Sequence, residues 1–383
     1  MVSDAIVVGG GIGGLAAATL LARQGVSVRL LEQSPQIAEI GAGVQISPNG
    51  LFVLRAMGLE DALRASHAPT AQAVVLNDHH AGRQVARLDL TRLAPGHQYY
   101  LMHRADLVEL LLDAAQAAGV LVELDVRVVE IVPQVRLQDG GCRQAEVVIA
   151  ADGLHSVARP ALNGADAAFF TGQVAWRALI PNVVDHPPEA HVTMGPGRHL
   201  VSYPLRGGEL VNLVAVEERQ EWAEEGWNHP DDPTCLQTAF ASFEGRQAAK
   251  MIAAVENVSL WGLHRHPVAK VWTGDRLALL GDAAHPTLPF LAQGANMALE
   301  DAWVLADVLI KGGVKALPEY HSRRHRRVSR VIDAANKNAW RYHLRPGPLR
   351  TVAHLGLRLG SQFAPGRMLG AFDWLYGYDV TRT

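Results

Sequence analysis

Near the start of the chain, Gly9-Gly10-Gly11-Ile12-Gly13-Gly14 fits the spacing G-x-G-x-x-G between a β-branched apolar run and an Ala/Leu-rich stretch, and Glu32 closes the next apolar run. These residue types suit a pyrophosphate. Gly9 permits a tight turn, Gly11 lets backbone approach phosphate and Gly14 allows close packing of helix on strand, so Gly9, Gly11, Gly13 and Gly14 are the expected cofactor-binding glycines. The N–H groups that open the helix favour negative charge. The Glu32 carboxylate would accept from a ribose hydroxyl and disfavour a 2′-phosphate, so the expected adenosine is that of FAD or NAD rather than NADP. Further along, His199, Val201, Tyr203 and Leu205 alternate, so His199 and Tyr203 fall on one strand face and can line one pocket.

These residues need a scaffold, and the chain supplies its parts in order. Ala5 to Val8 reads as a strand, Leu15 to Gln24 as a helix stopped by Gly25, and Val26 to Leu31 as a second strand, which together make a βαβ opening. Asp106 to Ala118 is a further helix ending at Gly119, and Leu121 to Val132 and Glu146 to Ala150 read as strands. From Phe169 to about Leu263 short alternating runs predominate. Leu200 to Leu205 and Leu210 to Val216 flank Gly207-Gly208 as an antiparallel hairpin. Leu277 to Leu280 then leads into a helix from about Met297 to Ile310, and from Tyr320 onward helices are broken at Pro346, Pro348 and Pro365.

The expected fold class is α/β: a discontinuous Rossmann-like dinucleotide domain over residues 1–68, 98–165 and 270–345, with an inserted β-rich substrate domain over 69–97 and 166–269. A helical cover follows over 346–383.

Composition narrows the partners. With 383 residues, 49% hydrophobic and 19% charged, and a formal charge of −3, the chain has material for a large core and no basic excess to attract nucleic acid. No apolar stretch reaches the ~18 residues of a membrane span without a charge. Two cysteines, Cys142 and Cys235, have neither disulfide-framework nor metal-ligand spacing, which fits a reducing cytoplasm. Arg323, Arg324, Arg326, Arg327 and Arg330 read as the solvated face of a helix, and His264-Arg265-His266 lacks a third ligand, so no metal is expected.

Two further segments carry a resemblance. Ala150-Ala151-Asp152-Gly153-Leu154-His155-Ser156-Val157-Ala158-Arg159 and Leu280-Gly281-Asp282-Ala283-Ala284-His285-Pro286 look like the second and third fingerprints of the class A flavoprotein monooxygenases, the group containing salicylate hydroxylase, 3-hydroxybenzoate 6-hydroxylase and 6-hydroxynicotinate monooxygenase. The likeness runs from Val7 to the tail Trp374-Leu375-Tyr376-Gly377-Tyr378. It implies bound FAD, with Asp282 on the ribityl chain and Arg104, in His103-Arg104-Ala105-Asp106-Leu107, helping to hold the cofactor. Asp152-Gly153 is implied both to hold FAD and to engage NADH or NADPH; no second glycine motif exists for a nicotinamide, so that cosubstrate is expected to bind transiently.

Gly294, Ala295 and Asn296 open a helix whose first N–H groups would face the flavin pyrimidine, where charge gathers on reduction. The resemblance also places a histidine and a tyrosine four residues later in the substrate site, matching His199 and Tyr203. A phenol is a better nucleophile once deprotonated, and a histidine of ordinary pKa, about 6.5, can take that proton. His199 is therefore the expected base, Tyr203 the orienting group and Gln293 a contact to the ring hydroxyl, while the role of Arg177 in Trp176-Arg177 stays open.

The implied activity is hydroxylation of a small phenolic or hydroxypyridine carboxylate with NAD(P)H and O2 through a flavin hydroperoxide. The alternative is an FAD-dependent dehydrogenase or oxidase of a non-aromatic substrate. Monomer and homodimer are both compatible with the sequence.

Overall fold

The computed structural model describes residues 2–37, 43–131, 134–165, 168–219 and 229–382. At its centre is a five-stranded parallel sheet in the order Leu277–Leu279, Val147–Ala150, Asp4–Val8, Ser27–Leu31, Leu121–Glu123. Its inner strands are short Val, Ile and Leu runs buried almost throughout, the pattern of a parallel sheet covered on both faces. The helix Ile12–Ala22 packs between Arg104–Ala117 and Gly294–Gly312. It can do so because its packing face is small: Ala16, Ala17 and Ala18 are fully buried, and a Cβ on Gly13 would lie 2.4 Å from Leu280 Cδ2 and 3.2 Å from the Ala298 Cβ.

The run expected over Leu121 to Val132 divides. Asp125 turns the chain at φ 57°, so Leu121–Glu123 joins the parallel sheet while Val128–Glu130 begins a separate antiparallel sheet with Val135–Leu137 and Cys142–Arg143. Val132 lies outside the described residues.

The second large layer is an eight-stranded sheet in the order His229–Asp231, Val258–Arg265, Phe169–Pro181, Leu210–Glu218, Arg198–Leu205, Glu189–Gly195, Ala73–Asp78, Gln84–Asp89. The expected hairpin is its middle, with His199 opposite Val216 and Tyr203 opposite Asn212. Period-two alternation on Phe169–Pro181 gives the sheet two apolar faces. Val174, Trp176, Ala178 and Ile180 pack with Phe240, Phe243, Met251 and Ile252, whereas Ala175 joins Val216, Trp261, Leu263 and Phe290. Arg177 falls on this second face.

The C-terminal helices are Leu317–Tyr342, Pro348–Phe363, Pro365–Gly370 and the short Asp373–Tyr376, the second and third opening on prolines that suit a first helical turn. The arginine cluster on the first of these is not a solvated face. Arg324 is fully buried, with Nη1 donating to Glu300 at 2.5 Å and Nε to Asp301 at 2.7 Å, and Arg327 Nε donates to Glu300 at 2.7 Å. Two carboxylates inside the largely apolar helix Gly294–Gly312 need cations, and this helix face supplies them. Arg326 and Arg330 do reach solvent. Among the described residues no helix is long and apolar enough to cross a membrane.

Candidate active site

The glycine motif sits where the first strand meets its helix. Gly9 has φ +105°, and a Cβ there would be 2.3 Å from the Ala151 carbonyl oxygen; a Cβ on Gly14 would be 2.0 Å from the Gly9 oxygen. Gly11, by contrast, has nothing within 4 Å of its would-be Cβ and borders an elongated cleft of about 1050 Å³. Two glycines are thus demanded by the chain's own packing and the third leaves room for something else. Glu32 lines the same cleft, its carboxylate accepting from Gly10 N at 2.6 Å and Ser34 N at 2.8 Å.

The cleft runs into an inner cavity of about 280 Å³, with Arg104, Gly153, Arg177 and Asp282 bordering both. The polar groups along this path fit a hydroxylated, phosphate-bearing cofactor. Asp152 Oδ2 accepts from Val157 N at 2.8 Å, but its buried Oδ1 has no partner among the described residues. Burial raises the carboxyl pKa of Asp152, and also that of Asp282 against the pull of His285 and Arg104. Buried carboxylates of this kind call for hydroxyl donors, which ribose and ribityl chains carry. Arg104, at the start of its helix, interacts electrostatically with Asp282 on this path; burial lowers its pKa, and the Asp282 charge counters that.

Gly294 and Ala295 border the inner cavity with the first N–H groups of the helix Gly294–Gly312, whose intrahelical ladder begins only at Met297 N to Gln293 O, 2.8 Å. Asn296 is turned the other way. Its Oδ1 accepts from Ser47 N at 3.0 Å and its Nδ2 donates to the carbonyls of Gln45 and Ala292, each at 2.9 Å, so its side chain pins the helix start to the strand Gly43–Ile46. The N-cap position falls on Gln293, and Ala292 before it is left-handed at φ 52°, a strained conformation for alanine next to the cavity.

Gln293 itself corrects an expectation. It is buried, and its amide donates to Ser47 Oγ at 2.9 Å and accepts from Asn49 Nδ2 at 3.0 Å, in a network that continues to Glu300 at 2.7 Å. Both ends are consumed beneath the cavity, so no contact to a ring hydroxyl is available to it.

His199 and Tyr203 both border the inner cavity. Burial raises the Tyr203 phenol far above its ordinary pKa, against Arg177 and Gln45, and its ring lies so close to Gly43 that a Cβ there would be 2.4 Å from Cε2. Arg177 stacks 4.1 Å over the Trp261 ring, and burial together with Arg104 lowers its pKa to about 9. His199 touches the rings of Phe290 and Tyr342, with centroids at 5.3 Å in each case.

Two residues with no sequence signal complete this corner. His199 Nδ1 is 2.7 Å from His343 Nε2, and His343 Nδ1 is 2.8 Å from Glu218 Oε1. A carboxylate can only accept, so His343 Nδ1 carries the hydrogen and, with the imidazole neutral, His343 Nε2 accepts. His199 Nδ1 therefore donates, and the lone pair of His199 is on Nε2, the nitrogen left for a molecule in the cavity. Burial, then His343, lowers the His199 pKa well below its ordinary value, which keeps the ring in this neutral form at pH 7.

A parallel dinucleotide-type sheet, a glycine turn opening on a long cleft, buried carboxylates along it and a small ring-lined cavity at its end define a flavin-dependent oxidoreductase. The chain belongs to the family described as FAD binding domain, whose profile matches residues 2–335. It is 35% identical to a 3-amino-4-hydroxybenzoate 2-monooxygenase of Streptomyces platensis over 98% of this chain and 96% of that protein. It is equally 35% identical to a 3-hydroxybenzoate 6-hydroxylase of Polaromonas naphthalenivorans over 98% and 96%. The crystal structure of a variant of Klebsiella pneumoniae HpxO complexed with FAD superposes with a TM-score of 0.83 at 26% identity, covering 97% of each chain. The protein is an enzyme of the flavin-dependent monooxygenase type, and FAD is its cofactor.

Proposed function

We propose that the protein hydroxylates a small phenolic or hydroxypyridine carboxylate, with NADH or NADPH as a transient reductant and O2 as oxidant. The observation that carries this reading is the acceptor Nε2 of His199, fixed by the His343–Glu218 pair, on a residue that borders the inner cavity adjoining the cofactor cleft. Bound FAD supplies the redox and oxygen-activating chemistry. The chain's residues prepare the ring: His199 takes a phenolic proton so that the ring becomes electron-rich, and Tyr203, a phenol that stays protonated, donates to a substrate oxygen. Arg177, buried beside Tyr203, is the cation that faces a carboxylate in this cavity. Val201, Val214, Val216 and Pro289 line the rest and exclude water.

In this reading Gly9, Gly11, Gly13, Glu32, Arg104, Asp152, Asp282 and the N–H groups of Gly294 and Ala295 hold FAD, while Gly14 acts by letting the helix pack on the Gly9 turn and Asn296 by fixing the helix start. The test is oxidation of NADH and NADPH by the FAD-loaded protein in the presence of hydroxybenzoates and hydroxypyridine carboxylates. The expected result is an aromatic acid that accelerates oxidation at least about tenfold. If none does, and a non-aromatic compound bleaches the flavin anaerobically, the protein is a dehydrogenase or oxidase instead.

A further inference from the structure

We infer that His343 and Glu218 form a proton exit that carries the substrate's phenolic proton from His199 to bulk water; the inference rests on the reading of His199 as the base. A base sealed in an apolar corner has a problem of its own chemistry. His199 is 1% exposed, and its depressed pKa means that it cannot keep a proton it accepts. The proton must move on, and the described residues offer a hydrogen-bonded path. His199 Nδ1 to His343 Nε2 is 2.7 Å and His343 Nδ1 to Glu218 Oε1 is 2.8 Å, while the Glu218 side chain is 46% exposed and opens the path to water.

The path is held by backbone as well as side chains. His343 follows directly on the helix Leu317–Tyr342, its carbonyl accepts from Gly197 N at 3.2 Å, and the Gly197 carbonyl accepts from Glu218 N at 2.9 Å. The turn between Glu189–Gly195 and Arg198–Leu205 thus ties the helix end to the strand that carries Glu218. Arg198 and Arg219 pair with Glu217, at 3.0 and 3.1 Å, while Glu218 pairs with His343.

The step balances as three hops. The phenolic O–H bond breaks as an N–H bond forms at His199 Nε2; the hydrogen on His199 Nδ1 passes to His343 Nε2; the hydrogen on His343 Nδ1 passes to Glu218 Oε1, and Glu218 releases a proton to water. One proton leaves, the phenolate stays, and both imidazoles end neutral with their tautomers exchanged. Return of a proton to the product oxygen runs the hops backwards and restores them. His343 and Glu218 are positioning and relay residues that never touch the substrate.

The experiment mixes oxidised, FAD-loaded protein with 3-hydroxybenzoate, 6-hydroxynicotinate or 3-amino-4-hydroxybenzoate in stopped flow, without NAD(P)H, in weak buffer containing phenol red. It follows ligand deprotonation and the proton reaching bulk solvent. In the wild-type protein both occur together. His343→Gln keeps a hydrogen bond to His199 but cannot relay, so both signals slow at least about tenfold while ligand affinity changes less than about threefold. Glu218→Gln slows release in weak buffer and recovers as buffer concentration rises, because its site is open to solvent; this surface substitution also keeps the test decisive should His343→Gln fold poorly. Wild-type rates in both variants overturn the relay and leave His199 as the base. No deprotonation of any of the three ligands by the wild-type protein overturns the base reading and the relay with it.

Discussion

Arg324→Met removes a cation that neutralises Glu300 and Asp301 in the helix whose N-terminus borders the inner cavity. All three side chains are fully buried, and the guanidinium makes one charge-assisted bond to each carboxylate, at 2.5 and 2.7 Å. Breaking a buried ion pair by deleting one partner costs about 3–5 kcal/mol, because a charge is left without compensation. Here some compensation survives: Arg327 still bonds both oxygens of Glu300, at 2.7 and 2.8 Å, and Asp301 keeps His285 at 2.5 Å. The expected loss is therefore at the lower end, about 3 kcal/mol.

Urea unfolding of the FAD-loaded protein, followed by far-UV dichroism, reads this as a fall in midpoint at unchanged slope. The double variant Arg324→Met/Asp301→Asn should recover at least about 1 kcal/mol, since it removes the carboxylate left without a guanidinium while the amide oxygen at position 301 can still accept from Gly281 N and His285. A loss below about 1 kcal/mol, or a double variant no better than the single one, refutes the reasoning.

Three other outcomes follow from the same geometry. Gly11→Ala meets nothing in the chain, so the apoprotein keeps its stability within about 1 kcal/mol while FAD affinity falls at least about tenfold; Gly14→Ala collides with the Gly9 oxygen and lowers the stability of the apoprotein itself, both read by thermal melts and FAD titration. Gly43→Ala drives a Cβ into the Tyr203 ring and should weaken aromatic-acid binding about tenfold with FAD binding retained, measured by flavin absorbance changes on titration. His186 is buried with Nδ1 donating to Pro187 O at 2.8 Å and Nε2 accepting from Ser202 Oγ at 2.9 Å, and burial lowers its pKa to about 4. Its unfolded form binds a proton first as pH falls, so stability is full above about pH 6.5 and drops by on the order of 3 kcal/mol down to pH 4, a slope that His186→Gln should flatten.

The parts of the site that sequence conveys are those written in local spacing. The glycine motif encodes a backbone path, so the turn at Gly9, the open face of Gly11 and the contact at Gly14 follow from positions a few residues apart. Period two puts His199 and Tyr203 on one strand face, and both reach the inner cavity. What spacing does not convey is direction and distant partners. Gln293 precedes the helix at the cavity, yet its αR backbone swings the side chain toward Ser47 and Asn49.

His343 is 144 residues from His199 and has no motif around it, in a chain of 17 histidines. Arg324 departs from the sequence expectation for a different reason. A run of arginines reads as solvated until one asks what neutralises Glu300-Asp301 in the otherwise apolar Met297-Ala298-Leu299 and Ala302-Trp303-Val304-Leu305; that pair of carboxylates was the available signal.

The central claim, oxygen insertion into an aromatic acid at the cavity bordered by His199 and Tyr203, is tested most directly by turnover under 18O2 with NADH or NADPH and each of the three aromatic acids, with products identified by mass. The account predicts a product carrying one 18O atom from at least one of them, and loss of that product with His199→Gln while NAD(P)H still reduces the flavin. NAD(P)H consumed with only hydrogen peroxide formed for every aromatic acid, or a label taken from water instead of O2, contradicts it.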